Sequence, residues 1–177
     1  MIAAIGLCTY KRPLMLAEAL ESLLGLYLPE NIEVLLIVVY NDSSQSAKSV
    51  FDEYQKKLHM KTYYEIEEKK GIAVARNRAM KIADLNHVDL MFFIDDDEIV
   101  DKNWLNAYIK YYNTHKVDVI TGPVHSIYPK DTPNWVIKGG FFESQKIHEG
   151  AKRKNAKTGN VMFDLNKLYN TFSLTFD

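Results

Sequence analysis

Leu90-Met-Phe-Phe-Ile-Asp-Asp-Asp-Glu98 reads as a strand that is apolar on both faces and stops on four consecutive carboxylates. A short apolar run without alternation belongs to a buried strand of a parallel sheet, not to a half-solvated surface strand. Outward from it, the same pattern recurs. Ile2–Cys8 and Val34–Val39 are continuous apolar runs, Thr62–Ile66 is a half-polar third strand, and Val117–Thr121 is a short fifth. Helical stripes lie between them. Leu16, Leu20, Leu23, Leu24 and Tyr27 follow Pro13, which suits a first helical turn, and Gly25 marks the end. Ser46–Lys57, Gly71–Ala83 and the stripe Trp104, Leu105, Tyr108, Ile109, Tyr112 complete the set. The order βαβαβαβαβ up to residue 124 predicts an α/β fold: a mainly parallel sheet with right-handed crossovers and helices on both faces. Beyond Pro123 the pattern breaks at Pro129, Pro133, Gly139, Gly140 and Gly150, so residues 125–177 read as loops and short strands of the same domain.

Composition narrows the function classes. The chain has 177 residues, 47% hydrophobic and 12% aromatic, enough for a core and incompatible with intrinsic disorder. A net charge of −1 lacks the basic surplus that nucleic-acid binding requires, so no nucleic acid is expected as a partner. No apolar run approaches the roughly 18 residues of a membrane span, and no basic leader precedes Ile2; a soluble, cytoplasmic protein is the expectation. A single cysteine, Cys8, in a buried strand reads as packing. The five histidines show no metal-ligand spacing.

In an open parallel sheet, ligands sit beyond the carboxyl ends of the strands. Here those ends carry Thr9-Tyr10-Lys11-Arg12, Tyr40-Asn41-Asp42-Ser43 and Asp95-Asp96-Asp97-Glu98. Neither a dinucleotide fingerprint nor a P-loop is present. Carboxylates about 5 Å apart on a rigid strand end repel by about 3 kcal/mol at an effective dielectric near 20, against about 1 kcal/mol or less in bulk water. A divalent cation relieves that repulsion, and hard carboxylate oxygens suit Mg²⁺ or Mn²⁺ shared with substrate phosphates. A solvated acidic loop is the competing reading. Gly71-Ile-Ala-Val-Ala-Arg76-Asn77 offers small residues at a helix start and a guanidinium, a place for a diphosphate or simply an amphipathic helix with a solvated Arg76. Thr9 and Tyr10 could border a base ring. Lys152-Arg153-Lys154 is either a solvated run or a basic loop closing over phosphate.

Ile5-Gly-Leu-Cys-Thr-Tyr-Lys-Arg-Pro13, Val38-Val-Tyr-Asn-Asp-Ser43, Gly71–Asn77 and Phe93-Ile-Asp-Asp-Asp-Glu98 together resemble a family 2 glycosyltransferase of the GT-A fold, in order and in spacing. Thr121-Gly-Pro-Val124, Pro133-Asn-Trp135 and Thr158-Gly-Asn-Val161 are similar to that family's acceptor-side segments. The resemblance implies inverting transfer of a sugar from a nucleotide-diphosphate donor to a hydroxyl of a saccharide or lipid-linked acceptor, in bacterial cell-surface polysaccharide or glycolipid synthesis. It implies a donor half over 1–124 and the start of an acceptor-side region over 125–177. By position, Thr9, Tyr10, Arg12, Asn41, Arg76, Asp95 and Asp96 would border the nucleotide. Asp97, with Asp95 as the other acid of the D-x-D motif, would ligate Mn²⁺ or Mg²⁺.

Two departures stand out. Asn41 occupies a position where many relatives carry Asp. The family's base lies in a Glu-Asp motif, and no Glu-Asp pair occurs here, so the chain reads as a fragment with the base beyond Asp177. Asp177, Asp164 and Glu143 are the candidates within it. Association with the inner membrane face through a further C-terminal part is also expected. Two other readings stay open: a binding-only donor module without the base, and a phosphoryl-transfer enzyme using Asp95 as nucleophile. The latter class usually carries its motif after the first strand.

Overall fold

The computed structural model describes residues 1–144, 147–171 and 175–176. Strands β1 (Ile2–Thr9), β2 (Glu33–Tyr40), β3 (Lys61–Ile66) and β4 (Leu90–Asp95) alternate with helices α1 (Pro13–Leu24), α2 (Lys48–Gln55) and α3 (Ile72–Leu85). Then come α4 (Trp104–His115), β5 (Val119–Thr121), α5 (Asn134–Gly139), β6 (Val161–Asp164) and α6 (Leu165–Thr171). The sheet order is β3-β2-β1-β4-β6-β5. The first four strands in the chain run parallel, while β6 is antiparallel to both β4 and β5.

Alternate residues of the buried strands feed two apolar layers. Ile5, Leu7, Leu36, Val38 and Phe92 pack against α1, α2 and α4 through Leu16, Leu20, Phe51 and Leu105. Ala4, Cys8, Ile37, Met91 and Phe93 face α3 and the start of α6 through Ala75, Ala79, Met80 and Leu165. Each large side chain fully buried this way contributes about 1.5–3 kcal/mol, so both faces hold the sheet.

Register sets the site. Thr9 lies opposite Tyr40, Cys8 opposite Asp95, and Tyr40 opposite Ile66, so the carboxyl ends of β1–β4 finish nearly level. The strand order reverses between β1 and β4, because α1 and α2 carry the chain one way and α3 returns it across the other face. That switch is where crevices form in open α/β sheets.

The expected five strands are present, but the edge beyond β4 differs from a continued parallel run. β6 inserts between β4 and β5. The fifth strand also starts at Val119, not Val117. Lys116 ends α4 in a left-handed conformation, and Val117–Asp118 bring the chain back before pairing begins. The tail holds two short helices, α5 and α6, where loops and strands were expected. Both are too short for a full amphipathic stripe to mark them. Among the described residues, no helix is long and apolar enough to cross a membrane.

Candidate donor-nucleotide site

Three successive carboxylates at the end of β4 take three different directions. Asp95 accepts from Arg76 Nη2 through Oδ1 at 2.7 Å. Asp96 is buried and turns to β1, where Thr9 Oγ1 donates to Oδ2 at 2.7 Å and Arg12 Nη1 to Oδ1 at 3.1 Å. Asp97 faces solvent, its side chain 52% exposed, with a 3.4 Å contact to Arg12 Nη1. Two guanidinium groups therefore already offset much of the acidic repulsion. The electrostatic case for a cation thus rests on Asp97 and on what a diphosphate adds, not on three bare charges.

Thr9, Tyr10, Arg12, Asn41 and Asp96 line one pocket of about 280 Å³, together with Cys8, Lys70, Gly71 and Ile72. Arg76, Asp95 and Asp97 lie outside its lining. Arg76, in the first turns of α3, is buried and paired with Asp95, which overturns the solvated-helix reading. Lys70, which lines the pocket, has its Nζ 5.1 Å from the centre of the Tyr10 ring, and Lys11 Nζ, outside the lining and 3.7 Å from Asp42 Oδ2, lies 5.4 Å from it. An aromatic face flanked by ammonium groups suits a planar, acceptor-rich ring and an anionic tail.

Asn41 has a different position in the chemistry from that of a base reader with a free amide. Its Nδ2 donates to Glu67 O and Lys69 O, both at 2.8 Å, and its Oδ1 accepts Gly71 N–H at 2.8 Å. Both amide hydrogens are thereby committed to the β3–α3 loop. Gly71, at φ 143° and ψ 135°, enters α3 in a region that essentially only glycine occupies. The staple and the glycine together place Lys70 on the pocket. Lys70 was missed in the sequence because a loop lysine carries no pattern; its place just before Gly71 was the available clue.

Beside Asp95, Glu98 Oε2 accepts the Asp95 N–H at 3.0 Å. Burial raises the Glu98 carboxyl above its ordinary range; the charges of Asp95 and Asp97 add to this, while the Asp95 N–H and Arg76 oppose it. Among the described residues, no three His, Cys, Asp or Glu side chains are grouped to hold a metal by themselves. The donor set fits a hard cation that takes one or two protein carboxylates and completes its shell from phosphate and water. It does not fit an all-protein cage.

Burial pushes the Cys8 thiol up to about 12, with Asp95 and Asp96 adding and Arg76 opposing. The thiolate is the reactive form, so Cys8 should resist iodoacetamide at pH 8 in the native protein and react once urea unfolds it. Mass spectrometry of the alkylated chain checks this; rapid native labelling would contradict the burial. The neutral thiol favours the fold at neutral pH, and that contribution is lost as pH rises above the unfolded value near 9.0.

The other candidates for a base separate clearly. Asp164 is buried opposite Leu90, at the start of β4 and so at the far end of the strand from Asp95; it accepts the Tyr112 hydroxyl at 2.8 Å. Glu143 is exposed and accepts the Tyr128 hydroxyl at 3.1 Å. Asp177 lies outside the described residues. The segment that resembles an acceptor side exposes Ile127, Trp135, Phe141 and Phe142.

A family model described as glycosyl transferase family 2 matches residues 4–174. The chain is 30% identical over 158 residues to the succinoglycan biosynthesis protein ExoM of Rhizobium meliloti, which covers 89% of this chain and 50% of that protein. It thus spans half the length of that curated relative. Among solved structures, S. aureus TarS 1–349 in complex with UDP superposes with a TM-score of 0.68 at 20% identity, covering 94% of this chain and 48% of that one. Mannosyltransferase PcManGT from Pyrobaculum calidifontis, in complex with GDP-Man and Mn²⁺, gives 0.57 at 21% identity, covering 70% and 35%.

Proposed function

This chain belongs to glycosyl transferase family 2, with the GT-A fold, and from that premise we propose that residues 1–124 bind a nucleotide-diphosphate sugar and residues 125–177 begin the acceptor side. The reaction is transfer of the sugar to a hydroxyl with inversion, in bacterial cell-surface polysaccharide or glycolipid synthesis. One observation carries the reading: the pocket at the β1–β4 switch gathers Thr9, Tyr10, Arg12, Asn41 and Asp96 from three strand ends, with Asp97 turned outward. Solved neighbours of the same fold hold UDP in one case and GDP-Man with Mn²⁺ in another, which supports a nucleotide in this crevice.

In this reading the Tyr10 face, with Lys11 and Lys70, receives the base. Thr9 and Asp96 border the ribose, while Arg12 meets the diphosphate. Arg76 acts at one remove, by holding Asp95. Asp97, with Asp95 as the second carboxylate, would hold Mn²⁺ or Mg²⁺, which when bound supplies Lewis-acid stabilisation of the departing diphosphate. Asp164 and Glu143 are engaged elsewhere, and we assign the proton-accepting base to neither.

Two substitutions test the placement. Asp97→Ala should abolish the Mn²⁺-dependent gain in UDP or GDP affinity and leave the melting temperature of the ligand-free protein unchanged or slightly raised. Asp101→Ala should leave that gain intact, since the Asp101 carboxylate accepts the Asn103 N–H at 2.8 Å ahead of α4, past the end of β4. Calorimetric titrations in which both variants behave alike would show that the site lies elsewhere.

A further inference from the structure

Val161 opens β6 opposite Phe93, so the residues just before it pass over the carboxyl end of β4. Asn160 has a left-handed φ of 51°, and it is held on several sides. The Trp104 indole N–H donates to Asn160 Oδ1 at 2.7 Å, and the Tyr108 hydroxyl lies 2.7 Å from Oδ1 and 2.8 Å from the Asn160 carbonyl, sharing its proton between them. Asn160 Nδ2 donates to Pro123 O at 2.7 Å, and the Gly122 N–H donates to the Asn160 carbonyl at 3.1 Å. These bonds fasten the start of β6 to α4 and to the chain after β5.

The consequence falls on Gly159. A methyl group there would lie 2.9 Å from Asp95 Oδ2 and 2.9 Å from Glu98 Oε1. Its φ is outside the left-handed range, so space and not backbone conformation demands glycine. Neither carboxylate can retreat without a loss on its other side: Asp95 Oδ1 is bonded to Arg76, and Glu98 Oε2 accepts the Asp95 N–H. The Gly159 backbone is therefore a wall against which both side chains are set.

We propose that Asn160, seated by Trp104 and Tyr108, is a positioning residue that fixes the Gly159 wall and through it the placement of Asp95 and Glu98, and so tunes the coupling between divalent cation and nucleoside diphosphate. Asn160 itself touches neither ligand in this account. The inference rests on the donor-site reading above. Groups that orient metal-binding carboxylates typically change metal affinity by about 10- to 100-fold when altered.

The full chain and three variants are titrated calorimetrically with UDP and with GDP, in excess Mn²⁺ and in EDTA. Gly159→Ala pushes directly on the carboxylates. Asn160→Gly keeps the left-handed backbone and removes the side-chain clamp. Asn160→Asp keeps the acceptor for Trp104 and Tyr108 and gives up the bond to Pro123 O, which is open to water. In Gly159→Ala and Asn160→Gly, the ratio of Mn²⁺ to EDTA affinity is expected to fall at least about tenfold while EDTA affinity stays at the wild-type value. Asn160→Asp is expected to retain most of the ratio. If Gly159→Ala does not fold, Asn160→Gly decides. A wild-type ratio in the folded variants, or an equal loss in both media, overturns the inference while leaving the donor site standing. A wild-type chain without any Mn²⁺ enhancement overturns the donor-site reading, and this inference with it.

Discussion

Asn41→Asp is expected to lower the melting temperature by about 5–10 °C. The change is nearly isosteric, but it replaces an amide that donates to Glu67 O and Lys69 O with an oxygen that repels both. Asn41 is buried, while Glu67 is half-buried and Lys69 exposed, so water compensates only part of the loss. Leaving a buried polar group unsatisfied costs about 1–3 kcal/mol, and 2–3 kcal/mol in total corresponds to that shift for a chain of this size. The β3–α3 loop, and Lys70 with it, should also come away from the pocket, weakening nucleotide binding in Mn²⁺ and in EDTA alike. Circular-dichroism melts and the same titrations check both effects. An unchanged melting temperature would mean that the amide is not the staple described.

The second large effect concerns Asp95. Asp95→Ala leaves the Arg76 guanidinium, buried at 8% exposure, without its 2.7 Å partner. Breaking a buried pair from one side typically costs 3–5 kcal/mol. The Asp95 side chain is 40% exposed, which admits water and reduces the expected loss to about 2–3 kcal/mol. The Mn²⁺-dependent gain in nucleotide affinity should disappear as well. Replacing both partners, as Asp95→Ala with Arg76→Met, should recover much of the stability but none of the metal coupling, because the cost arises from an orphaned charge and not from the pair itself. Urea titrations of the single and double variants separate the two. A double variant less stable than Asp95→Ala would contradict the pair's assignment.

Strands buried on both faces were legible because their apolar runs are continuous, as in Ile2–Cys8, Val34–Val39 and Leu90–Ile94. Once those strands were ordered, the rule that ligands sit beyond their carboxyl ends pointed to Thr9, Asn41 and Asp96. The structure brings these together. The division of labour among Asp95, Asp96 and Asp97 was not legible, since three identical side chains differ only in the direction that strand pleat and turn give them. Short strands were expected in the tail, but the insertion of β6 between β4 and β5 was not legible, because it has four residues and β4 lies some seventy positions earlier in the chain. Lys70 and Asn160 act from loops, where residue type carries little periodic information. Thr158-Gly-Asn-Val161 stood out only by its similarity to an acceptor-side segment, which gives no sign of the clamp from Trp104 and Tyr108. Asn41 in place of the family's Asp read as a question of base preference; the loop carbonyls it holds give it a structural reason.

The most direct test of the donor-site account is a calorimetric titration of the full chain with UDP and with GDP, each in excess Mn²⁺ and in excess EDTA. The account predicts that at least one of the two binds at a single site, and that Mn²⁺ strengthens binding about tenfold or more through shared coordination by Asp97 and the diphosphate. Equal affinity for that nucleotide in Mn²⁺ and in EDTA, or no binding of either one, would contradict it.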